Sequence, residues 1–323
     1  MKTTLVLTTI NPPTPAVLQL ADGCVAGGWD FVIAGDEKTP EMVVPGAEFL
    51  SLDAQARFPI SAAVPTGSYS RKNLGYLRAI ERGAEVIVET DDDNFPLDGF
   101  WEPRKRLHAS TFIESPGWTN AYAHFSDSGV WPRGLPLTEI RNHVRGYPRE
   151  ELSCPVQQGL ADGDPDVDAV WRLIHREDTS FRDASPLLLY DGVWCPFNSQ
   201  NTTWFREVFP LLYLPSTCSF RMCDIWRSFV AQRILHELGY GVLFHSATMR
   251  QERNEHDLMA DFRDEVEGYL YNDRIRTILR KLDLSGLELN VMMVRCYQVL
   301  IECNLLEDKE MMILVEWLKA FPS

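Results

Sequence analysis

Three consecutive aspartates, Asp91, Asp92 and Asp93, follow directly on an apolar segment at 85–90. Adjacent carboxylates repel one another, so a bound cation relieves the cost of placing them together. Their oxygens are hard ligands, which suit Mg²⁺ or Mn²⁺ better than a soft metal. A run of charge is most often a solvated acidic turn, but a position after a buried strand favours a ligand site. The segment therefore predicts a site for Mn²⁺ or Mg²⁺, with Asp93 as the first-choice ligand.

Other acidic or phosphate-binding motifs fit the sequence poorly. An EF-hand loop that began at Asp91 would put Phe95 at a ligand position and Pro96 where glycine is required. The segment 11–15 contains prolines rather than a glycine-rich phosphate loop. What remains is an Asp-x-Asp arrangement, in which a metal bridges both phosphates of a sugar nucleotide and stabilises the leaving diphosphate. Asp91 and Asp92 would then share the contacts with the metal and with the ribose.

A strand–helix–strand pattern must position this acidic segment. Apolar runs at 5–10, 31–34 and 85–90 predict buried strands, and Leu74, Leu77 and Ile80 at three-residue steps predict a helix over 70–82. Short links between them indicate βαβ connections and a parallel sheet. Ligands of such sheets bind beyond the carboxyl ends of the strands. Asp36, which follows the second run, is expected at the same edge as the acidic segment.

The rest of the chain divides into a loop-rich part and a helical part. Residues 100–215 are rich in proline, glycine and tryptophan and predict short strands with long loops. A helix is predicted over about 221–238, and an apolar stripe at 289–303 predicts a packed helix. We therefore predict a catalytic α/β domain at 1–257 and an all-helical extension at 258–323.

Composition limits the classes of partner. The chain has 323 residues, with 31 basic and 46 acidic side chains and a net charge of −15. This balance argues against nucleic acid and anionic lipid as partners, because both require a basic face. No apolar run approaches the roughly 20 residues that span a bilayer. The seven cysteines are scattered without a Cys-x-x-Cys pair, which predicts reduced thiols in a cytosolic protein.

Several segments, in the same order along the chain, resemble the STELLO-type glycosyltransferase-like family. They are 8–13, 35–40, 68–76, 89–94, 131–134, 166–172, 221–227 and 251–258, within a resemblance that covers about residues 3–270. The resemblance implies a GT-A-like fold, which is a Rossmann-type mixed sheet flanked by helices. It also implies a nucleotide-sugar half at about 1–100 and an acceptor half at about 101–257. Plant members are anchored in Golgi membranes, whereas this sequence shows no anchor, so we expect a cytoplasmic protein.

Four residues near the predicted sheet edge are candidates for donor binding. Arg71 and Lys72 open the helix after Ser70, where they would contact donor phosphate, or else form a solvated pair of charges. In GT-A enzymes the position of Asp36 commonly meets the nucleobase or ribose; the alternative is a turn aspartate. Thr9, at the end of the first strand, would line the same pocket.

A second group of candidates lies further along the chain. Asp166, Asp168 and Arg172 would shape the donor-sugar pocket, as the resemblance suggests, although either aspartate alternatively caps a helix. Asp224, near the start of a helix, is the candidate general base in an inverting transfer, with a helix-end carboxylate as the alternative. His256 would complete the metal site, and His245 competes for that role.

Three tryptophans are a further expectation of the sequence. Most of the nine should fill the core. Trp118, Trp131 and Trp194 lie in loop-like surroundings, where their faces would be available to stack on sugar rings.

Taken together, these features predict a metal-dependent, inverting glycosyltransferase. It would move a sugar from a nucleoside-diphosphate sugar, by default a UDP-sugar, to a hydroxyl on a glycan or a small acceptor. A nucleotide-sugar mutase is the neighbouring alternative, since plant UDP-arabinopyranose mutases resemble a similar half-sheet. A nucleotide-binding scaffold protein without catalysis is the alternative from another class. The helical tail would also allow a homo-oligomer.

Overall fold

Strands and helices alternate along the first third of the chain, and longer loops separate the strands that follow. The computed structural model describes residues 1–143, 145–175, 177–252 and 257–321. Its strands are β1 (Thr3–Thr9), β2 (Asp30–Gly35), β3 (Glu48–Leu50), β4 (Val86–Thr90), β5 (Asn94–Pro96), β6 (Leu107–Ile113), β7 (Gly117–Trp118), β8 (Tyr147–Ser153), β9 (Val156–Gly163), β10 (Leu187–Leu189), β11 (Val193–Trp194), β12 (Asn201–Phe205) and β13 (Val242–Gln251). Its α-helices are α1 (Pro15–Gly27), α2 (Leu52–Gln55), α3 (Lys72–Glu81), α4 (Ala169–Ile174), α5 (Cys223–Glu237), α6 (Leu258–Arg280), α7 (Leu289–Glu302) and α8 (Lys309–Leu318).

One mixed sheet runs through the molecule in the order β3-β2-β1-β4-β12-β9-β13-β10-β6-β8, and β5 pairs with β13 beside it. The first four of these strands are parallel to one another. β12 is antiparallel to both of its neighbours, β4 and β9, and the remaining pairs run in both directions. The predicted class, a Rossmann-type mixed sheet flanked by helices, is confirmed.

The amino-terminal strands end together, which brings the segments that follow them to one edge of the sheet. Thr9 at the end of β1 pairs with Gly35 at the end of β2, and Val6 pairs with Glu89 in β4. Both faces of these strands are buried, as expected where helices cover a parallel sheet. α3 lies close to β1, because a Cβ atom at Gly75 would come within 2.7 Å of Val6.

The helices α6, α7 and α8 pack on the rest of the chain through apolar side chains. Leu279 in α6, Met293 and Leu300 in α7, and Trp317 in α8 are each at most 1% exposed. All four belong to the same cluster of buried side chains as the apolar residues of α5. The helical extension is confirmed, and the stripe predicted at 289–303 packs within the chain.

This shared core spans the domain boundary predicted at residue 257. The cluster includes side chains from before and after that position, and the division into two domains stays a prediction, as does the homo-oligomer. In the described ranges, no helix combines the length and the apolar composition that a membrane crossing requires.

A buried ion pair joins β4 to α5. Glu89 is 0% exposed and Arg227 is 1% exposed, and two hydrogen bonds of 2.9 and 2.8 Å link the guanidinium to the carboxylate. The same carboxylate accepts a hydrogen bond of 2.7 Å from the indole of Trp204 and another from the hydroxyl of Tyr76. Because both charges are removed from water, each depends on the other for its stabilisation.

The substitution Arg227→Met tests this pair. It leaves the Glu89 carboxylate buried without its partner, and we expect a loss of about 3–5 kcal/mol in the free energy of unfolding. The matched control is Arg250→Met, which breaks the exposed ion pair of Arg250 with Glu252 and should cost less than about 1 kcal/mol. Urea unfolding of the full chain measures both. Equal losses in the two variants would contradict a structural role for the buried pair.

Candidate functional site

A cleft of about 630 Å³ opens at the edge where β1, β2 and β4 end. Residues 8–11, 36–38, 66–69 and 91–93 line it. The lining residues from later in the chain are Arg133, Asp166, Phe220, Arg221, Asp224 and Gln251. The volume is in the range of sites for cofactors and small substrates. The cleft therefore brings the segments that the sequence predicts at one sheet edge together with residues that lie 40 or more positions further along the chain.

The turn after β1 holds the middle aspartate of the acidic segment. Asn11 donates through Nδ2 to Oδ2 of Asp92 at 2.9 Å, and the hydroxyl of Thr9 donates to the same oxygen. The hydroxyl of Thr14 donates to the Asp92 carbonyl and also caps α1, since it accepts a hydrogen bond of 3.1 Å from the amide of Val17. The proline-rich turn that replaces a glycine-rich loop therefore orients Asp92, and Thr9 lines the cleft beside it.

A buried lysine lies behind the first aspartate. Lys72 is 0% exposed, and its ammonium donates to the Tyr69 hydroxyl at 2.8 Å and to the Thr90 carbonyl at 2.7 Å. It lies 3.3 Å from Oδ1 of Asp91, to which Tyr69 donates at 2.6 Å. Burial raises the pKa of Asp91, whereas the charge of Lys72 lowers it. The structure places Lys72 as a fixed counter-charge beneath the acidic segment, rather than as a residue that lines the cleft.

The third aspartate is held from the other side of the cleft. Gln251 donates through Nε2 to Oδ2 of Asp93 at 2.9 Å, and Asp93 is 8% exposed. The carboxylates of Asp91 and Asp93 offer the hard oxygen ligands that Mg²⁺ or Mn²⁺ requires. Across the described ranges, no group of three or more histidine, cysteine, aspartate or glutamate side chains could hold a metal ion. The fit of Asp91 and Asp93 to such a cation rests on the chemistry of their oxygens alone.

Neither histidine candidate can be placed in the metal site. His256 lies outside the described residues. His245 does not line the cleft, and its Nδ1 lies 2.9 Å from the carbonyl of Ser246. Burial lowers the pKa of His245 to about 4. The role of His256 stays a prediction, and the geometry gives no support to His245.

Arg71 does not reach the cleft. It is 2% exposed, and its guanidinium donates to the carbonyls of Ser61 and Val64 at 3.0 Å each and to the side chain of Gln55. Burial lowers the pKa of Arg71. The guanidinium satisfies carbonyls of the loop before α3 that would otherwise be buried without a donor. The geometry therefore does not support the predicted contact of Arg71 with donor phosphate.

Asp36 lines the cleft and also organises the segment before α3. Its carboxylate accepts hydrogen bonds from the backbone amides of Glu37 at 2.7 Å, Gly67 at 2.9 Å and Ser68 at 3.0 Å. The turn alternative is therefore present in the structure. Because Asp36 also lies on the cleft wall, contact with a ligand stays a prediction.

Arg133 bridges two carboxylates on the far wall of the cleft. It donates through Nε to both oxygens of Asp166 at 3.0 and 2.9 Å, and through Nη1 and Nη2 to Asp224 at 3.0 and 2.9 Å. Nη1 also donates to the Arg221 carbonyl, and Nη2 to Asp166. Burial lowers the pKa of Arg133, but the two carboxylates outweigh this effect and raise it. The bridge fixes the positions of Asp166 and Asp224 relative to each other.

Asp168 and Arg172 stabilise the wall from behind. Asp168 caps α4 by accepting from the amide of Val170 at 2.8 Å, and burial followed by repulsion from Glu265 raises its pKa to about 7. Arg172 donates to Asp261 in α6 at 2.9 Å. Neither Asp168 nor Arg172 lines the cleft. The structure thus shows the capping alternative for Asp168, and it gives no direct support to a donor-sugar contact by either residue.

The sequence did not single out three residues that shape the site. Arg133 lies in the Trp-Pro-Arg-Gly segment of the family resemblance, which was the available signal. Glu265 in α6 is 1% exposed and accepts from Arg221 through Nε at 3.0 Å and Nη2 at 2.7 Å. Tyr69 lies in the segment 68–76 of the same resemblance, but its role depends on contacts with Asp91 that only the fold creates.

The three tryptophans expected to stack on sugars are buried instead. Trp118, Trp131 and Trp194 are 4%, 6% and 1% exposed, and all three belong to the main apolar cluster. Loop-like sequence surroundings did not reveal this, since in this protein irregular segments cover the core.

Comparisons with known proteins agree with the resemblance read from the sequence. A family model described as "STELLO glycosyltransferases" matches residues 221–321. The protein named "Probable glycosyltransferase STELLO2" of Arabidopsis thaliana is 34% identical over 271 residues, which is 76% of this chain and 34% of that protein. "Probable glycosyltransferase STELLO1" of the same plant is 34% identical over 254 residues, or 71% of this chain and 33% of that protein. This chain thus spans about a third of the length of these relatives.

Among solved structures, glucosyl-3-phosphoglycerate synthase from Mycobacterium tuberculosis is a remote match. Its complex with phosphoglyceric acid is 12% identical with a TM-score of 0.44, covering 84% of this chain and 79% of that chain. Its complex with Mn²⁺ and uridine-diphosphate-glucose is 13% identical with a TM-score of 0.43, covering 84% and 78%. Likeness at this level carries no conclusion about ligands. On the sequence matches, the chain belongs to the STELLO family over the part that it shares with these relatives.

Proposed function

We propose that this chain is a metal-dependent glycosyltransferase that moves a sugar from a nucleoside-diphosphate sugar, with UDP as the favoured nucleotide, to a hydroxyl of a glycan acceptor with inversion. The observation that carries the proposal is that Asp91–Asp93 and a separate carboxylate, Asp224, line one cleft at the carboxyl edge of the sheet. Membership of the STELLO family supports the same activity.

The donor would lie along the amino-terminal wall of the cleft. Asp36 and Thr9, at the ends of β2 and β1, would contact the nucleoside, and Asp92 would contact the ribose. Asp91 and Asp93, with His256, would hold a Mn²⁺ or Mg²⁺ ion. When bound, that ion would neutralise the diphosphate and stabilise it as a leaving group. Asp166 would contact the donor sugar.

Other predicted donor residues would act through their neighbours. Lys72 fixes Asp91 and Tyr69, and Arg71 fixes the loop before α3. Asp168 and Arg172 hold α4 against α6. We assign these four residues to the positioning of the donor site.

The two oxygens of Asp224 differ in what they already accept. Oδ2 accepts from Arg133 Nη2, from the amide of Ser199 at 3.2 Å and from the hydroxyl of Ser199 at 3.3 Å. Oδ1 accepts from Arg133 Nη1 at 3.0 Å. A carboxylate oxygen accepts about two hydrogen bonds, so Oδ1 retains room for a further donor. We therefore assign Oδ1 as the atom that takes the proton of the acceptor hydroxyl.

Removal of the metal should weaken donor binding. Without a cation, the acidic segment and the diphosphate repel each other, so we expect a chelator to weaken the affinity for UDP-glucose at least about tenfold, roughly 1.4 kcal/mol. Asp93→Ala should have the same effect in the presence of Mn²⁺. Isothermal titration calorimetry measures both.

The matched control for this experiment is Asp98→Ala, which removes an exposed carboxylate outside the cleft. Its affinity for UDP-glucose should equal that of the parent chain. Donor affinity that is insensitive both to chelator and to Asp93→Ala would refute a metal-bridged diphosphate.

Removal of the charge of the proposed base should slow turnover while donor binding persists. General-base catalysis is typically worth about 10² to 10⁴ in rate, and we expect a loss of that order in Asp224→Asn. Release of UDP from UDP-glucose with a panel of glycan acceptors measures turnover, and calorimetry measures donor affinity.

A second variant distinguishes two possible roles of Asp224, the acceptance of a proton and the binding of Arg133. Asp166→Asn also removes a charged partner of Arg133, but we expect it to weaken donor binding rather than to act only on turnover. If the two variants behave alike, Asp224 serves to hold Arg133 and is not the base. Sugar rearrangement without an acceptor would instead indicate a mutase, and tight nucleotide binding without turnover would indicate a scaffold.

A further inference from the structure

Phe220 presents an exposed aromatic ring to a cleft in which ten of the twenty lining residues are charged. The ring is 58% exposed and lines the cleft together with Asp224, which follows it by four residues. A large apolar side chain left in water inside a ligand cleft is a candidate contact surface, because burying it against a ligand is favourable. Resting on the proposed function, this inference concerns the acceptor.

The backbone on both sides of Phe220 is held firmly. The ring lies in a 3₁₀ helix, Phe220–Met222, and the hydroxyl of the preceding Ser219 donates to the carbonyl of Asp264 in α6. The following Arg221 is bound by Glu265 of the same helix. The exposure of Phe220 is therefore a fixed feature of the wall and is set by α6.

The ring also has a defined position relative to the acidic segment. It packs edge-on against Tyr69, with ring centroids 5.9 Å apart and an angle of 79° between the planes. The hydroxyl of Tyr69 donates to Asp91 at 2.6 Å. Phe220 thus shares the cleft lining with Asp91 and with the proposed base Asp224, and it contacts the tyrosine that binds Asp91.

The charge of the cleft limits what such an acceptor can carry. Seven carboxylates and three cationic side chains line the cleft: Asp36, Glu37, Asp91, Asp92, Asp93, Asp166 and Asp224 against Lys38, Arg133 and Arg221. Arg133 donates to two of these carboxylates, Asp166 and Asp224, and to the backbone carbonyl of Arg221. A divalent cation and a diphosphate cancel each other's charge, so the excess of carboxylates persists when the donor is bound. Like charges placed close together in an interface are unfavourable.

We propose that the acceptor is an uncharged saccharide whose apolar ring face stacks on Phe220, and that phosphorylated or uronic acid acceptors are excluded by the acidic wall. The C–H face of a neutral sugar provides apolar area for the aromatic ring, while its hydroxyls reach the carboxylates beside it. Specificity then combines an attractive contact with a repulsive one.

Saturation-transfer NMR on the full chain with Mn²⁺ and UDP tests this proposal. The probes are the methyl glycosides of glucose, galactose, mannose and xylose, and the methyl glycosides of glucuronic and galacturonic acid. Glucose and glucuronic acid, like galactose and galacturonic acid, differ only at C6. We expect transfer to one or more neutral glycosides and none to the two acids. Phe220→Ala should reduce that transfer about tenfold, and Phe220→Trp should retain it.

The matched control is Leu270→Ala, which removes an apolar side chain of α6 that is 64% exposed and lies outside the cleft; it should leave the spectra unchanged. Binding of the acids as strongly as the neutral sugars would overturn the proposal. So would neutral binding that persists in Phe220→Ala, or no neutral binding at all. Calorimetry with UDP distinguishes failure of this inference from failure of the proposed function. If UDP binds and neutral sugars do not, only the inference about the acceptor fails. If UDP does not bind, the proposed function fails as well.

Discussion

The buried ion pair between Glu89 and Arg227 is the interaction on which the geometry of the cleft depends. Glu89 lies two residues before Asp91 in β4, and Arg227 lies one helical turn after Asp224 in α5. Because these paired charges have no access to water, a shift of β4 or α5 would expose a charge or leave it buried without its partner. The relative placement of the acidic segment and Asp224 is therefore fixed by a contact outside the cleft.

The cleft itself is stabilised by cations that the protein supplies. Lys72 lies beneath Asp91, and Arg133 lies between Asp166 and Asp224. Without them, the mutual repulsion of these carboxylates would lack a neighbouring positive charge to offset it. Each of these two cations donates to several acceptors of the protein itself. They therefore compensate the charge of the carboxylates and are not free to bind a ligand. The remaining negative charge suits the divalent cation and the neutral acceptor that we propose.

Local signals in the sequence predicted the elements that create the sheet edge. The apolar runs of β1, β2 and β4, the periodicity of α3 and the stripe of α7 each depend on residues close together in the chain. The centre of the sheet gave no such signal, because β9 and β12 bury polar side chains. The hydroxyl of Thr202, for example, donates to Oε1 of Gln158 at 3.0 Å, and both residues are at most 2% exposed. A strand whose buried side chains are polar and hydrogen-bond to one another lacks the apolar run by which a buried strand is predicted from sequence.

The site residues were harder to predict, since their roles depend on distant partners. Arg133 is 33 residues from Asp166 and 91 from Asp224, and no spacing rule connects them. Arg71 shows the converse case. A basic residue at a helix start has the same sequence signal whether it turns towards a ligand or beneath a loop, and burial decided the outcome for Arg71.

The contacts of α6 show how the helical extension supports the cleft wall. Glu265 binds Arg221, Asn272 accepts from the indole of Trp226 at 2.9 Å, and Tyr269 donates to Asp168 at 3.1 Å. In a chain without α6, Arg221, Trp226 and Asp168 would lose these buried hydrogen-bond partners, at about 1–3 kcal/mol each. The family model matches 221–321, a segment that contains both Asp224 and Glu265. The segment that the family model matches thus contains both a part of the cleft wall and the helix that supports it.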